Sequence, residues 1–227
     1  MLKLAAIVGP TAAGKTGTAI KTAKIMGAEI ISCDSMQVYQ GMDIGTAKAT
    51  VAERQTVPHH LIDLVHPDVN FSVADYQILA KQAIRDIASR NKLPILVGGT
   101  GLYYQAVVDD YDFFPVQSQD EARRKWEGLL CEYGLDYLFA QLQQIDPEYA
   151  EKVGMNDKKR IIRALEVFDL TGQPFSSLQK RQSNTYNLAS VGLRMDRAQL
   201  YRRIEQRVDE MVSNGLIEEV IALREKG

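Results

Sequence analysis

The sequence predicts an α/β fold, a parallel sheet with helices on both faces, interrupted by a helical insertion. Three observations carry this. A glycine-rich loop, Gly9-Pro10-Thr11-Ala12-Ala13-Gly14-Lys15-Thr16, joins an apolar run to the start of a helix. Short, nearly continuous apolar segments then alternate with amphipathic ones over roughly the first 110 residues. Beyond a polar, aromatic break the apolar positions fall at helical spacing instead.

Taken in order, Leu4–Val8 reads as a buried strand and Lys15–Met26 as the helix after the loop. Glu29–Ser32 and Pro94–Val97 are further strands, and Val73–Arg90 is a helix opened by Ser72 with Asp75 three residues on, a capping-box spacing. The break runs from Asp109 to Gln119. Past it, amphipathic helices are expected near Asp120–Tyr133, Leu135–Gln144 and Asp157–Leu170, the last stopped by Gly172-Gln173-Pro174. A polar loop leads to a strand at Ala189–Met195 and a helix at Arg197–Val212. The expected domains are therefore a discontinuous core, residues 1–112 and 189–227, and a helical insertion, residues 113–188. Because Arg224-Glu225-Lys226-Gly227 directly follows an amphipathic helix, the core is expected to continue beyond this chain.

The glycine loop has the G-x-x-x-x-G-K-[ST] form, in the strand–loop–helix context that gives it meaning, so the core is expected to be P-loop NTPase-like. Gly9 and Gly14 let the backbone curl, and successive N–H groups with the helix N-terminus converge on one phosphate. Lys15 adds a point charge, and Thr16 is the expected ligand of a phosphate-bound Mg²⁺. The pattern establishes a di- or triphosphate ligand and leaves open whether it belongs to a nucleotide. ATP-hydrolysing enzymes of this class place an acid after a further strand. Here Pro94–Val97 ends in Gly98-Gly99-Thr100-Gly101, and the acid, Asp34, follows Glu29–Ser32. Asp34 so lies at the C-terminal edge of the sheet, where open α/β sheets bind ligands, and is read as a general base facing the loop.

With 227 residues, 45% of them apolar and 25% charged, the chain can bury a core. No apolar run approaches a membrane span, and the N-terminus lacks a signal-peptide pattern. Two distant cysteines, Cys33 and Cys131, point to a reducing cytoplasm, and no spacing of Cys or His points to zinc. His59-His60 is given a structural or loop role. The net charge of −2 hides a basic stretch: Asp157 to Arg207 holds eleven Lys/Arg against five Asp/Glu. Such clustering is what a phosphate backbone needs.

Five ordered blocks resemble the tRNA dimethylallyltransferase (tRNA isopentenyltransferase) family. They are the loop at residues 9–16; Ser32-Cys33-Asp34-Ser35-Met36-Gln37-Val38-Tyr39 with Met42-Asp43-Ile44-Gly45-Thr46-Ala47-Lys48; Pro58-His59-His60-Leu61-Ile62-Asp63; Gly98-Gly99-Thr100-Gly101-Leu102-Tyr103; and Asn156-Asp157-Lys158-Lys159-Arg160-Ile161-Ile162-Arg163-Ala164-Leu165-Glu166-Val167. Gly154-Met155 departs from the His-Pro pair expected before Asn-Asp. The resemblance implies transfer of a dimethylallyl group from its diphosphate to N6 of the adenine beside the tRNA anticodon (position 37), with release of pyrophosphate. The loop, Gly9 to Thr16, would then hold dimethylallyl diphosphate rather than ATP, with Mg²⁺ at Thr16.

The resemblance also implies catalytic roles for Asp34, Thr11, Lys15 and Arg163, the last as a diphosphate contact. It assigns Asp34, Ser35, Met36, Gln37, Thr100, Arg123, Lys159, Arg160, Ile161, Ile162 and Arg163 to the RNA, a monomer being expected. Tyr39, Tyr103 and Tyr104 are stacking surfaces or core. From the residues alone two other readings stay open: a small-molecule or nucleotide kinase, which the loop and Asp34 would also serve, and a non-catalytic RNA-binding or nucleotide-switch module that uses the loop as a structural anchor.

Overall fold

The computed structural model describes residues 1–111, 120–178 and 185–226, which form two compact units, residues 1–110 with 182–227 and residues 111–181. Residues 112–119, where the insertion is expected to begin, lie outside the described residues.

The first unit runs β1 (Leu2–Val8), α1 (Lys15–Met26), β2 (Glu29–Cys33), α2 (Val51–Thr56), β3 (His59–His60), α3 (Val73–Ser89), β4 (Pro94–Gly98) and α4 (Gly101–Val108). The second unit holds α5 (Asp120–Ile145), α6 (Pro147–Val153), α7 (Lys158–Thr171) and α8 (Phe175–Leu178); the chain then returns to the first through β5 (Tyr186–Gly192), α9 (Arg197–Ser213) and α10 (Leu216–Glu225). The five strands are all parallel, in the order β3-β2-β4-β1-β5. β1 and β2 thus flank β4, and the loops after all three open at one edge.

Strand alternation explains why both faces are covered. Leu4 and Ala6 of β1, Ile31 and Cys33 of β2 and Leu96 of β4 pack with Tyr76, Ile84, Tyr103 and Val107 of α3 and α4. Their neighbours Ile7, Ile30, Ile95 and Val97 face the other way, onto Ala19, Ile20 and Ala23 of α1. Each fully buried Ile or Leu contributes about 1.5–3 kcal/mol by leaving water. Tyr103 is 6% exposed and stacks on Tyr76 with ring centroids 4.0 Å apart, which makes it core rather than an open stacking surface. The capping box at α3 forms as its spacing predicts: Asp75 N donates to Ser72 Oγ at 3.2 Å, and Ser72 N to Asp75 Oδ2 at 2.9 Å. Glu29, buried at the opposite edge of the sheet, accepts from Arg90 and Lys92 and pairs with His60.

Two local expectations change. The last strand is Tyr186–Gly192 rather than Ala189–Met195, pairing Leu2 with Tyr186 through Val8 with Gly192. It is an edge strand whose side chains are largely exposed, so no apolar run marks its start. β3 was not foreseen; two residues are too few for periodicity to register.

In the second unit, Gly134 breaks α5 with φ 81°, at the gap between the two helices that the sequence predicts there. Trp126, Leu138 and Leu142 of α5 pack on Ile161, Ile162 and Leu165 of α7. Asp157 caps α7 by accepting Arg160 N at 3.1 Å, and Gly172 ends it at φ 68°.

Candidate active site

The phosphate loop is built around its glycines. Gly9 sits so close to the chain beyond β5 that a Cβ there would meet Leu193 O at 2.9 Å. Gly14 is left-handed, φ 89°, at the N-cap of α1. No side chain caps α1 and no acid lies in its first turn. Its free N–H groups and positive helix end are therefore open to an anion. Lys15 Nζ donates to Pro10 O at 2.8 Å, folded back over the loop. Burial lowers the Lys15 pKa, Asp34 opposes that shift, and Arg207 adds to it.

The loop after β2 faces this cradle. Asp34 Oδ1 accepts Met36 N at 2.9 Å, an Asx turn, and Ser35 N donates to Thr100 Oγ1 at 3.1 Å. Ser32 Oγ donates to Gln37 Oε1 at 2.8 Å, and Gln37 Nε2 donates to Thr46 O at 3.1 Å. A cavity of about 70 Å³ lies between the two loops, lined by Thr11, Lys15, Thr16, Asp34, Gln37 and Arg207, with Ala19, Ile30 and Val97 as its apolar wall. A second hollow, about 310 Å³, lies over Ala12, Gly14 and Lys15 beside Arg203 and Arg207.

Comparison with known proteins gives the same direction. Residues 37–227 match the IPP transferase family model. The chain is 59% identical over 227 residues to the tRNA dimethylallyltransferase of Syntrophomonas wolfei, covering all of this chain and 73% of that protein. This chain belongs to the tRNA dimethylallyltransferase family. A tRNA isopentenylpyrophosphate transferase structure from Bacillus halodurans is similar over the whole chain and 71% of its own, with TM-score 0.69 and 47% identity. A eukaryotic dimethylallyltransferase, described as acting on tRNA, matches with TM-score 0.85 and 30% identity, over the whole chain and 56% of its own.

The dimethylallyltransferase residues named from the sequence divide between the units. Thr11, Lys15, Thr16, Asp34, Ser35, Met36, Gln37 and Thr100 lie in the first, around the cavity or in the loops that bound it. Arg123, Lys159, Arg160, Ile161, Ile162 and Arg163 lie in the second. Of these, Arg123 is exposed and pairs with Glu127 at 3.2 Å, and Arg160 is exposed and pairs with Asp157 at 3.3 Å. Arg163 Nη1 bonds the buried Glu166 at 3.1 Å, which fixes one end of its guanidinium. Ile161 and Ile162, 0% and 3% exposed, pack their side chains into the core under α7, which leaves their main chain as the part of them that could face RNA. At the departure from the family pattern, Gly154 closes α6 at φ 69°, a conformation that strains other residues, so this chain turns into α7 on a glycine.

Arg207 and His59 were not foreseen as site residues. Arg207 enters from α9 and has no hydrogen-bond or ion-pair partner among the described residues. Its place in the basic stretch was the only signal. His59 lines the cavity, and its Nδ1 donates to Val57 O at 2.7 Å, which leaves Nε2 as an acceptor, buried and unpartnered among the described residues. Burial lowers its pKa and favours that neutral form.

Proposed function

We propose that this protein transfers a dimethylallyl group from dimethylallyl diphosphate to N6 of adenine 37, next to the anticodon of tRNA, releasing pyrophosphate. The observation that carries the reading is the pairing, across one small cavity, of an open phosphate cradle with the carboxylate of Asp34. The cradle binds the leaving diphosphate and Asp34 faces the attacking nitrogen.

Adenine N6 is a weak nucleophile because its lone pair is shared with the ring, so attack needs a base within hydrogen-bond reach. In this reading the N6–C1 bond forms as the C1–O bond to diphosphate breaks. The N6 proton passes to Asp34, and the bonding electrons leave with pyrophosphate. Charge gathers on the diphosphate as it departs, where the α1 amides, Lys15 and Arg207 stabilise it, with Thr11 as a hydroxyl donor. Ala19, Ile30 and Val97 supply an apolar wall for the five-carbon chain.

Mg²⁺ fits the donor set. No cluster of three or more His, Cys, Asp or Glu among the described residues could hold a metal by itself. That is what is expected of an ion carried on substrate phosphates with few protein ligands, and Thr16 would be the protein ligand. When bound, the ion neutralises charge on the diphosphate.

The reading gives Ser35, Met36, Gln37 and Thr100 to the acceptor side. Arg123, Lys159, Arg160 and Arg163 are phosphate and sugar contacts, and Arg163 also keeps its assignment to diphosphate. An extruded base in a single-stranded loop is the natural acceptor for a site this small. A monomer working in the cytoplasm completes the proposal; no helix among the described residues is long and apolar enough to cross a membrane.

The test is a transfer assay with radiolabelled dimethylallyl diphosphate, Mg²⁺ and unmodified tRNA, without ATP and with adenosine monophosphate as competing acceptor. Label in tRNA is expected. Label in the mononucleotide alone, or in neither acceptor, overturns the assignment.

A further inference from the structure

We propose that Glu219 of α10 is a positioning residue for the acceptor half of the site. Its carboxylate holds the loop Met42–Lys48 in the form that orients the Gln37 amide. The functional part of this inference rests on the prenyl-transfer reading above.

Three consecutive backbone N–H groups converge on one carboxylate. Asp43 N and Ile44 N donate to Glu219 Oε2 at 2.8 and 2.7 Å, and Gly45 N donates to Oε1 at 3.0 Å. Such a run of amides is an anion-binding nest, here filled by a side chain 174 to 176 residues away. Bonds of this kind are charge-assisted and among the stronger ones a protein makes. The helix comes this close because residue 45 is glycine: a Cβ there would lie 3.2 Å from Leu216 Cδ1 and 3.5 Å from Glu219 Oε1. Leu216, Glu219 and Leu223 share one face of α10, and Leu223 reaches toward Gly41. The contact is thus a seam between helix and loop, with the carboxylate at its centre.

The same loop reaches the site. Directly after the three latched amides come the carbonyls of Thr46 and Ala47, which accept from Gln37 Nε2 at 3.1 and 3.5 Å. Ser32 Oγ, bonding Gln37 Oε1, fixes the amide from the other side. Both amide hydrogens are directed at the loop, so Gln37 offers the cavity an acceptor lone pair on Oε1 rather than a donor. An acceptor there suits an N–H-bearing acceptor base, and it exists only while the two carbonyls stay in place. Lys48, buried and bonded to the Asp43 side chain, Asp63 and Tyr39 O, ties the far end of the loop back to its near end, and Glu219 holds the backbone amides of Asp43, Ile44 and Gly45 from the other side.

The experiment compares Glu219→Gln, which keeps shape but loses charge and sets an NH₂ against a backbone N–H, with the parent protein. Without any substrate, amide hydrogen exchange at Asp43, Ile44 and Gly45 should rise about tenfold or more while exchange at Ile31 and Leu96 is unchanged. In the transfer assay the KM for tRNA should rise severalfold with the KM for dimethylallyl diphosphate within about twofold. In a Gln37→Ala background the same substitution should then add little, because its effect runs through Gln37. Unchanged exchange at the three amides overturns the latch. Equal damage to diphosphate KM, or full multiplicativity with Gln37→Ala, overturns the positioning role. If the parent protein transfers no label, the prenyl-transfer reading falls, and the exchange measurement still decides the latch.

Discussion

Thr100 Oγ1 accepts the backbone N–H of Ser35 at 3.1 Å, joining the loop after β4 to the loop after β2 across 65 residues of sequence. Thr100 N in turn donates to Cys33 O at 3.3 Å. The position of Asp34 is therefore set from both sides by the residue that ends the Gly98-Gly99 turn. Thr100→Val removes the acceptor and keeps the shape. It should cost about 1–2 kcal/mol of stability and lower kcat more than it raises the KM for diphosphate, whereas Thr100→Ser should restore both. Steady-state kinetics with thermal melts checks this.

Asp34 has two jobs that one substitution separates. Asp34→Asn retains Oδ1 as acceptor for Met36 N but is no longer a base. Transfer should fall about 10²- to 10⁴-fold with diphosphate affinity within a few-fold and melting unchanged. Asp34→Ala should add a loss of loop order. Near-normal transfer by the Asn variant would remove Asp34 as base.

Lys15 should dominate diphosphate binding and its alkaline limit. Burial holds its pKa below the ordinary 10.5, so the ammonium is lost at a lower pH than for a free lysine, and affinity should fall as pH rises through that value. Lys15→Ala should weaken binding and abolish the alkaline fall. Titration calorimetry across pH reads both.

Acid stability should rest on Glu29. Hydrogen bonds from Arg90, then Lys92 and His60, hold its carboxyl well below the usual 4.5 against the opposing effect of burial. A depressed carboxyl pKa contributes stability that is present above the unfolded value and lost as pH falls below about 4.5 toward the folded one. Glu29→Gln should cost about 1–3 kcal/mol near neutrality and flatten the acid limb of the stability curve. An acid limb identical to the parent's would assign that stability elsewhere.

Two glycines of one turn should behave oppositely. A Cβ on Gly98 would lie 1.9 Å from Cys33 O, whereas one on Gly101 meets nothing within 4 Å. Gly98→Ala should cost at least ~3 kcal/mol, because neighbouring strand backbones must part. Gly101→Ala, at the first position of α4, should be tolerated. Denaturant unfolding of the pair tests whether close strand approach, rather than flexibility, requires Gly98.

Much of this was legible along the chain because the physics is local. The loop Gly9–Thr16 carries its own cradle, since its glycines and the helix that follows are contiguous. The Ser72–Asp75 box, the stop at Gly172 and the break at Gly134 are likewise set within a few residues. Two-sided burial of β1, β2 and β4 shows in their unbroken apolar runs. What the sequence by itself determined is therefore the α/β core, its phosphate loop and the presence of Asp34 beyond β2. Only the tertiary structure decided what meets these groups. Arg207 arrives from α9, Thr100 ties down Ser35, and Glu219 fills the amides of Asp43 to Gly45. Each depends on a pairing between distant segments, and side-chain type at one position carries no record of its partner.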